Sequence, residues 1–178
     1  EVFVNALAKS AGIVTTSPSA SVGPNATVIA GVSTVGLSVG YLVDNQHFRG
    51  GTKIVSIDST SQVTVDRAST NTASATNQTV NFLGVTTAFT ASATEKSILI
   101  GGTFANNTDN QVALTVELYD ASTSVGVALA SEIPVPAGSS FVISDTGKTI
   151  LEPTDELRVY CNAANGIDAT LSILTGVS

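Results

Sequence analysis

Residues that are branched at the β carbon most constrain the fold of this chain. Val, Ile and Thr make up 57 of the 178 residues. A second substituent on Cβ restricts χ1 and crowds the surface of a helix, whereas the same side chains pack well on a pleated sheet. No stretch shows a sustained apolar repeat with a period of 3.6 residues. The sequence therefore predicts an all-β protein.

Turn residues recur at short intervals, and the pattern of strands between them changes near residue 84. Residues 1–84 contain short strands between Gly- and Pro-containing turns, which is typical of a small barrel or sandwich. Residues 85–178 contain cleaner strands and regular turns, which is typical of a β-sandwich. We therefore expect two small β domains: 1–84 with an N-terminal arm, and 85–178 as a jelly-roll-like β-sandwich.

Alternation of apolar and polar residues in the second region predicts the core of that domain. Residues 111–118 place apolar side chains on one face and put Thr115 and Glu117 on the other. Cys161 is the only cysteine, so an intramolecular disulfide and a cysteine-rich zinc site are excluded, and we expect a buried thiol. The side chains predicted to be buried are Val112, Leu114, Val116, Leu157, Val159, Cys161, Leu171 and Ile173.

Charge and hydropathy exclude two classes of partner. Seven basic residues stand against fourteen acidic ones, for a net charge of −7, and no segment clusters Lys or Arg. We therefore expect no nucleic-acid partner. No window supplies the roughly 20 consecutive apolar residues that a membrane helix needs, so we expect no membrane partner either.

The residues that could carry catalysis are few and scattered. His47 is the only histidine and lies in a loop-like stretch between Asp44 and Arg49, which predicts a solvated loop residue, with a ligand or pH-switch role as the alternative. Residues 152–156 contain three acids at a tight turn, where carboxylates more often cap the turn than transfer protons. The sequence therefore predicts no catalytic residue and a protein that is not an enzyme.

Metal and cofactor sites are also not expected. Residues 106–110 offer Asn, Thr and Asp side chains but only one carboxylate, so an Asn-rich turn is favoured over a calcium loop. Zinc and iron lack His and Cys ligands, and no phosphate-binding Gly-rich loop occurs.

Several segments of the second region resemble a known module. They read EIPVPAGSSFVI (132–143), KTILEP (148–153), DELRV (155–159) and NAANGIDATLSI (162–173), preceded by VTTAFTA (85–91) and SILIGGTFANN (97–107). Together they resemble a small β-sandwich module of tailed-phage virion proteins, similar to those of marine and cyanobacterial phages. The module often has Gly between Pro153 and Asp155, so Thr154 leads us to expect a different turn. Upstream, GVSTVGLSVGYLV (31–43) and GTKIVSI (51–57), with Val63 to Val65, look like small β-modules of phage fibres and surface proteins.

This resemblance implies a structural virion protein on the capsid exterior or on the neck and tail. Within that class we expect a capsid decoration (cement) protein, whose partners are the major capsid protein or other virion proteins and copies of itself, with a trimer favoured. The acidic charge argues against the DNA-facing interior of a capsid. The alternatives are a neck- or tail-attached protein, a carbohydrate- or cell-surface-binding adhesive module, and a β-sandwich enzyme.

The N-terminal residues are the candidate interface. Val2, Phe3, Val4 and Leu7 form an apolar patch at a terminus, where a chain frays unless it is held. We expect residues 1–10 to reach onto a neighbouring subunit or the capsid. The alternative is that they add an edge strand to their own domain.

Overall fold

A computed structural model describes residues 1–10, 12–144 and 148–177 of the chain. These residues form fifteen β-strands and no helix, so the prediction of an all-β protein is confirmed. In chain order the strands are β1 (Val2–Lys9), β2 (Gly12–Val22), β3 (Val28–Ala30), β4 (Leu42–Asp44), β5 (Ile54–Ser59), β6 (Gln62–Val65), β7 (Ala75–Gly84), β8 (Thr86–Thr90), β9 (Lys96–Asn106), β10 (Val112–Asp120), β11 (Val125–Val135), β12 (Ser140–Ile143), β13 (Thr149–Leu151), β14 (Glu156–Cys161) and β15 (Ile167–Val177).

The chain divides into two compact units. One comprises Glu1–Ser10 and Thr86–Ser178 and is called here the sandwich unit; the other comprises Ala11–Val85 and is called the barrel unit. In the chain, the barrel unit is thus an insertion between β1 and β8.

The sandwich unit consists of two antiparallel sheets. One has the order β1-β15-β9-β12, with β13 also paired to β9, and the other has the order β11-β10-β14-β8. Strands β12 and β13 pair with successive stretches of β9 and together count as one interrupted strand. The resulting eight strands have the order of a jelly roll, a sandwich built from two Greek keys.

Apolar side chains from both sheets fill the interior of the sandwich unit. The eight side chains predicted to be buried all belong to this core, and each is at most 2% exposed. The prediction of the core is therefore confirmed, because the apolar face of strands β10, β14 and β15 is the one that packs into the interior.

The N-terminal residues do not belong to the first domain, where the sequence analysis placed them. Strand β1 pairs antiparallel with β15 from Val2↔Thr175 to Lys9↔Asp168, and the Ser10 N–H donates to the Ile167 carbonyl at 3.0 Å. Residues 1–10 are therefore an edge strand of the sandwich unit, and not an arm of a domain spanning 1–84. Their even-numbered side chains, Val4, Ala6 and Ala8, pack against the sandwich core, which gives this placement its stability.

The barrel unit is one antiparallel sheet with the order β4-β7-β2-β3-β6-β5. A bridge between Leu42 and Lys53 joins its first and last strands, and the Val43 N–H donates to the Thr52 carbonyl at 2.9 Å. The sheet therefore closes on itself around a core that includes Ile29, Val63 and Phe82.

Candidate interaction surfaces

His47 does not form a site with its charged neighbours in the sequence. Its Nε2 lies 3.1 Å from Gln78 Oε1, and its backbone N–H donates to Asn45 Oδ1 at 2.9 Å. The Asp44 carboxylate instead accepts a hydrogen bond from Asn81 Nδ2 at 3.3 Å. His47 is half-buried, and these contacts tie it to the polar side chains of its own loop and of β7.

The acids at residues 152–156 are used to build their turn. Asp155 is buried, and its carboxylate accepts the Glu152 N–H at 3.0 Å and the Ala121 N–H at 3.3 Å. The Glu152 carboxylate is 2.9 Å from Lys96 Nζ. Each contact is structural, and Asp155 acts as the cap that the sequence predicted for this turn.

The turn between Pro153 and Asp155 corrects one expectation. Thr154 has φ of +72°, the left-handed conformation that glycine adopts without strain. The turn therefore does not change to suit threonine. Instead, Thr154 is held in a conformation that glycine would favour.

Asn106 occupies the loop that was considered for calcium. Its Oδ1 accepts hydrogen bonds from the Thr108 N–H at 2.8 Å and the Thr108 hydroxyl at 2.9 Å. Its Nδ2 donates to the carbonyls of Asn110 and Val135. The side chain is thus fully occupied in closing the turn. Within the described ranges, no three His, Cys, Asp or Glu side chains are grouped to hold a metal ion.

Cys161, Glu117 and Tyr160 are three of the buried polar side chains of the sandwich unit. Cys161 is fully buried, as predicted, and burial raises the pKa of its thiol. Glu117 is 3% exposed and accepts a hydrogen bond from the Tyr160 hydroxyl at 3.4 Å. Burial, and then the neighbouring Glu117 carboxylate, raise the pKa of Tyr160. The sequence placed Glu117 on the polar face of its strand and gave no signal that this position would be covered.

The four residues proposed as an interface lie on two faces of β1. Phe3 and Leu7 are 75% and 72% exposed and lie on the outer face of the sheet, while Val4 is half-buried against the core. Val2 has the parity of Val4, but it lies at the end of the strand and is exposed. The expected single patch is therefore a pair of side chains, Phe3 and Leu7, that lie four residues apart on one face with Asn5 between them.

Phe3 begins an apolar row that crosses the whole outer face of the five-stranded sheet. In register, Phe3 lies opposite Leu174, Leu174 opposite Ile98, and Ile98 opposite Ile150. A parallel row begins at Leu7 and ends at the exposed Val142, with Thr170 and Thr103 between them. These two rows place four exposed apolar side chains, Phe3, Leu7, Val142 and Ile150, on the outer face, while the row between them contains Asn5 and Ser172.

The second sheet also has an apolar edge. Val125, Val127 and Leu129 are exposed along β11, the outermost strand of that sheet. The sandwich unit therefore presents exposed apolar side chains at the outermost strand of each of its two sheets.

The barrel unit carries a polar pocket of about 510 Å³. Its lining residues are Asn25, Arg49, Arg67, Ala68, Ser69 and Thr70. Arg67 Nη1 donates to the Gly50 carbonyl at 2.8 Å, which orients the guanidinium, and Arg49 is exposed. Two of the seven basic residues of an acidic protein thus line one concavity.

The sequence and structure were compared with known families, curated proteins and solved structures. In the part of the chain that the structure describes, no helix is long and apolar enough to cross a membrane. No protein-family model matches the sequence, and neither the curated proteins nor the solved structures give a significant match.

Proposed function

We propose that this chain is a non-enzymatic structural protein of a phage virion, and specifically a capsid decoration (cement) protein that binds and stabilises the outside of the capsid. The observation that carries the proposal is the apolar outer face of the sandwich unit, with its rows from Phe3 to Ile150 and from Leu7 to Val142. Exposed apolar faces of this kind serve protein–protein contacts.

The architecture agrees with this use. Jelly rolls are found in viral capsid proteins and in lectins, and fold alone does not decide between such functions. The resemblance of residues 85–178 to a phage virion module favours a capsid function over a lectin function. The net charge of −7 suits an outer surface better than contact with packaged DNA.

The residues that the sequence analysis considered for catalysis make contacts within the protein or are buried. His47 contacts Gln78, Asp155 caps its turn, and Cys161 is buried with a raised thiol pKa. The proposal assigns these residues structural roles, and its proposed partner is the major capsid protein. Attachment to the neck or tail is the other position within this proposal.

Reconstitution on particles tests the proposal. Capsids from the parent phage lacking this protein would be mixed with the purified chain, sedimented, and imaged by electron cryo-microscopy. We expect saturable density on the capsid exterior. Density confined to the neck or tail would select that position, and a chain found neither in virions nor on particles would overturn the proposal.

Variants of the outer face make the test specific. Val142→Ser and Ile150→Ser together should weaken capsid binding about tenfold or more, because burying one large apolar side chain contributes about 1.5–3 kcal/mol. Val55→Ser, at an exposed position of the barrel unit, is the matched control and should bind normally. Equal binding by both variants would exclude this face as the contact.

The arginine pocket favours a second candidate function, an adhesive module that binds acidic saccharides. Guanidinium groups bind carboxylates and sulfates in a bidentate manner, and Asn and Thr side chains can contact sugar hydroxyls. A glycan array with uronate and sulfated sugars tests this function. Binding that Arg49→Ala and Arg67→Ala abolish, but that Lys96→Ala leaves intact, would support it; no binding to any saccharide would exclude it.

A further inference from the structure

The outer edge of β1 has backbone N–H and carbonyl groups that no neighbouring strand of its sheet pairs with. Among the described strands, β1 ends the order of its sheet and pairs only with β15. The Ser10 N–H donates to Ile167, and the Val2 carbonyl accepts the Thr175 hydroxyl at 3.1 Å, so even-numbered residues direct their backbone groups toward β15. Because successive residues alternate, the N–H and carbonyl groups of the odd-numbered residues point to the open side.

The open side carries none of the usual protection against strand pairing. Natural edge strands are kept apart by proline, by bulges or by charges along the edge. β1 has eight residues, contains no proline, pairs with β15 without a register shift, and carries a single charge, Lys9, at its end. Such an edge is suited to pairing with another strand.

The order of side chains along residues 1–9, which are β1 and the residue before it, is complementary to itself. When a second copy runs antiparallel with Asn5 opposite Asn5, Phe3 lies opposite Leu7 and Glu1 lies opposite Lys9. Each of these pairs occurs twice, because the contact has two-fold symmetry. Aromatic–aliphatic and opposite-charge pairs stabilise adjacent strands, whereas mismatched pairs do not.

The neighbouring registers lack this complementarity. A shift of two residues in one direction sets Phe3 opposite Asn5 and Glu1 opposite Leu7. The same shift in the other direction sets Phe3 opposite Lys9. Only the register centred on Asn5 matches apolar with apolar and acid with base.

The core-facing side of the strand is matched in the same register. Val4 lies opposite Ala6 and Val2 opposite Ala8, and all four are apolar. On the outer face, the row that ends at Phe3 gains Leu7 of the second copy as its next member. Lys9, which is 3.5 Å from Asp168, would then lie between that carboxylate and Glu1 of the second copy.

We propose that two copies of this chain associate through antiparallel pairing of β1 with β1 across a two-fold axis at Asn5, which joins their five-stranded sheets into one continuous sheet. The contact does not depend on the proposed virion function. A two-fold contact of this kind also replaces the trimer that the sequence favoured as the proposed self-association.

Sedimentation of the full chain without virions tests the contact. We expect a dimer whose dissociation constant rises about tenfold or more in Asn5→Pro, because proline removes a backbone donor on the open side and leaves the bonds to β15 in place. Asn5→Thr keeps that donor and should stay dimeric. A monomer or a trimer at all concentrations, or a dimer unaffected by Asn5→Pro in a folded chain, would overturn the proposal.

Cross-linking tests the position of the axis without relying on proline. Opposed residues of a hydrogen-bonded antiparallel pair have Cα atoms about 5.5 Å apart, within reach of a disulfide. Asn5→Cys should therefore form a covalent dimer under mild oxidation, while Ser172→Cys, an exposed position next to Asn5 on β15, should not. The native Cys161 is buried and does not interfere. Equal cross-linking of the two variants would contradict the assigned axis.

Charge exchange tests the register. Glu1→Lys and Lys9→Glu should each weaken self-association, and their equimolar mixture should form heterodimers, because each then supplies the charge that the other lacks. Absence of preferential heterodimers would exclude the Asn5-centred register. A chain that dimerises in this way but does not bind capsids would leave this inference standing and overturn only the virion proposal.

Discussion

Tyr160 and Glu117 form a buried polar contact on the face of their sheet that is opposite the apolar core. Tyr160 is 1% exposed, and its hydroxyl donates to a carboxylate that is itself almost fully buried. Burial of the phenol and the nearby Glu117 carboxylate both disfavour the phenolate, so the pKa of Tyr160 is raised. The raised pKa stabilises the folded state below about pH 10, where the unfolded phenol ionises, and that stabilisation is lost as the pH rises above it.

We therefore expect one of the three tyrosines to resist ionisation in the folded protein until the pH is well above 10. Absorbance titration of native and urea-unfolded chains measures this directly. Tyr160→Phe should remove the late-titrating component and cost about 1 kcal/mol, because Glu117 loses a donor. A single transition for all three tyrosines near pH 10 in the folded state would contradict the assignment.

Thr154 provides a second residue-scale prediction. A β-branched side chain at φ +72° is strained, and glycine relieves the strain while adding some entropy to the unfolded chain. Thr154→Gly should raise the free energy of unfolding by about 0.5–1 kcal/mol. Urea denaturation measures this free energy. The control is Thr90→Gly in β8, which should lower the free energy of unfolding by about 0.5–1 kcal/mol. A loss at both positions would mean that Thr154 is not strained.

At the scale of strands, the sequence predicted those strands in which apolar and polar residues alternate within one continuous segment. β10, β14 and β15 alternate over several residues, so their buried faces could be named in advance. β1 could not be placed, because its partner β15 lies at the other end of the chain. β2 is rich in Ser and Thr and contains Pro18, which falls within a register shift between Ser17 and Ala20.

The candidate surfaces also depend on contacts between distant segments, which the sequence alone does not show. The sequence identified Phe3 and Leu7 as apolar residues in need of a partner, but it could not show that Val4 lies on the opposite face and packs against the core. It also could not show the outer-face row, because Phe3, Leu174, Ile98 and Ile150 come from four separate segments. Alignment of distant strands is a property of the folded sheet.

Packing between β10 and β11 leads to a prediction at the element scale. A Cβ on Gly126 would collide with the Glu117 carboxylate. Because this carboxylate is buried and accepts the Tyr160 hydroxyl, moving it away should cost stability. Gly126→Ala should lower the free energy of unfolding by about 1–3 kcal/mol. Ala128→Ser, an exposed position on the same strand, should change it by less than about 0.5 kcal/mol.

A double-mutant cycle identifies the cause of that loss. If the carboxylate is the obstacle, Gly126→Ala should cost less in a Glu117→Ala background than in the native chain, with a coupling of about 0.5–3 kcal/mol. Additive effects would show that the glycine is needed for some other reason.

At the scale of the molecule, the barrel unit is inserted between two strands of the sandwich unit, and we expect it to be removable. Gly12 and Gly84 are paired residues of β2 and β7, so the two ends of the unit lie about 5.5 Å apart or less. A short Gly-Ser linker in place of residues 11–85 should therefore connect β1 to β8 and leave a chain that unfolds in one cooperative urea transition.

The fragment 86–178 is the matched comparison. It lacks β1 and with it the contacts of Val4, Ala6 and Ala8 with the core, so it should be less stable than the linked chain by several kcal/mol. A peptide of residues 1–10 should restore part of this loss when it is added in trans. Equal stability of the fragment and the linked chain would show that β1 contributes nothing to the sandwich unit.

The pairing of β1 with β15 determines the order in which the two units can fold during synthesis. The barrel unit can close once residue 85 has emerged, but β1 must wait for residues 167–177 before it meets β15. At about 5 to 20 residues per second, that wait lasts on the order of ten seconds. Throughout it, Phe3 and Leu7 sit on a strand with both edges open. We therefore expect β1 to stay unpaired during synthesis for longer than any strand of the barrel unit.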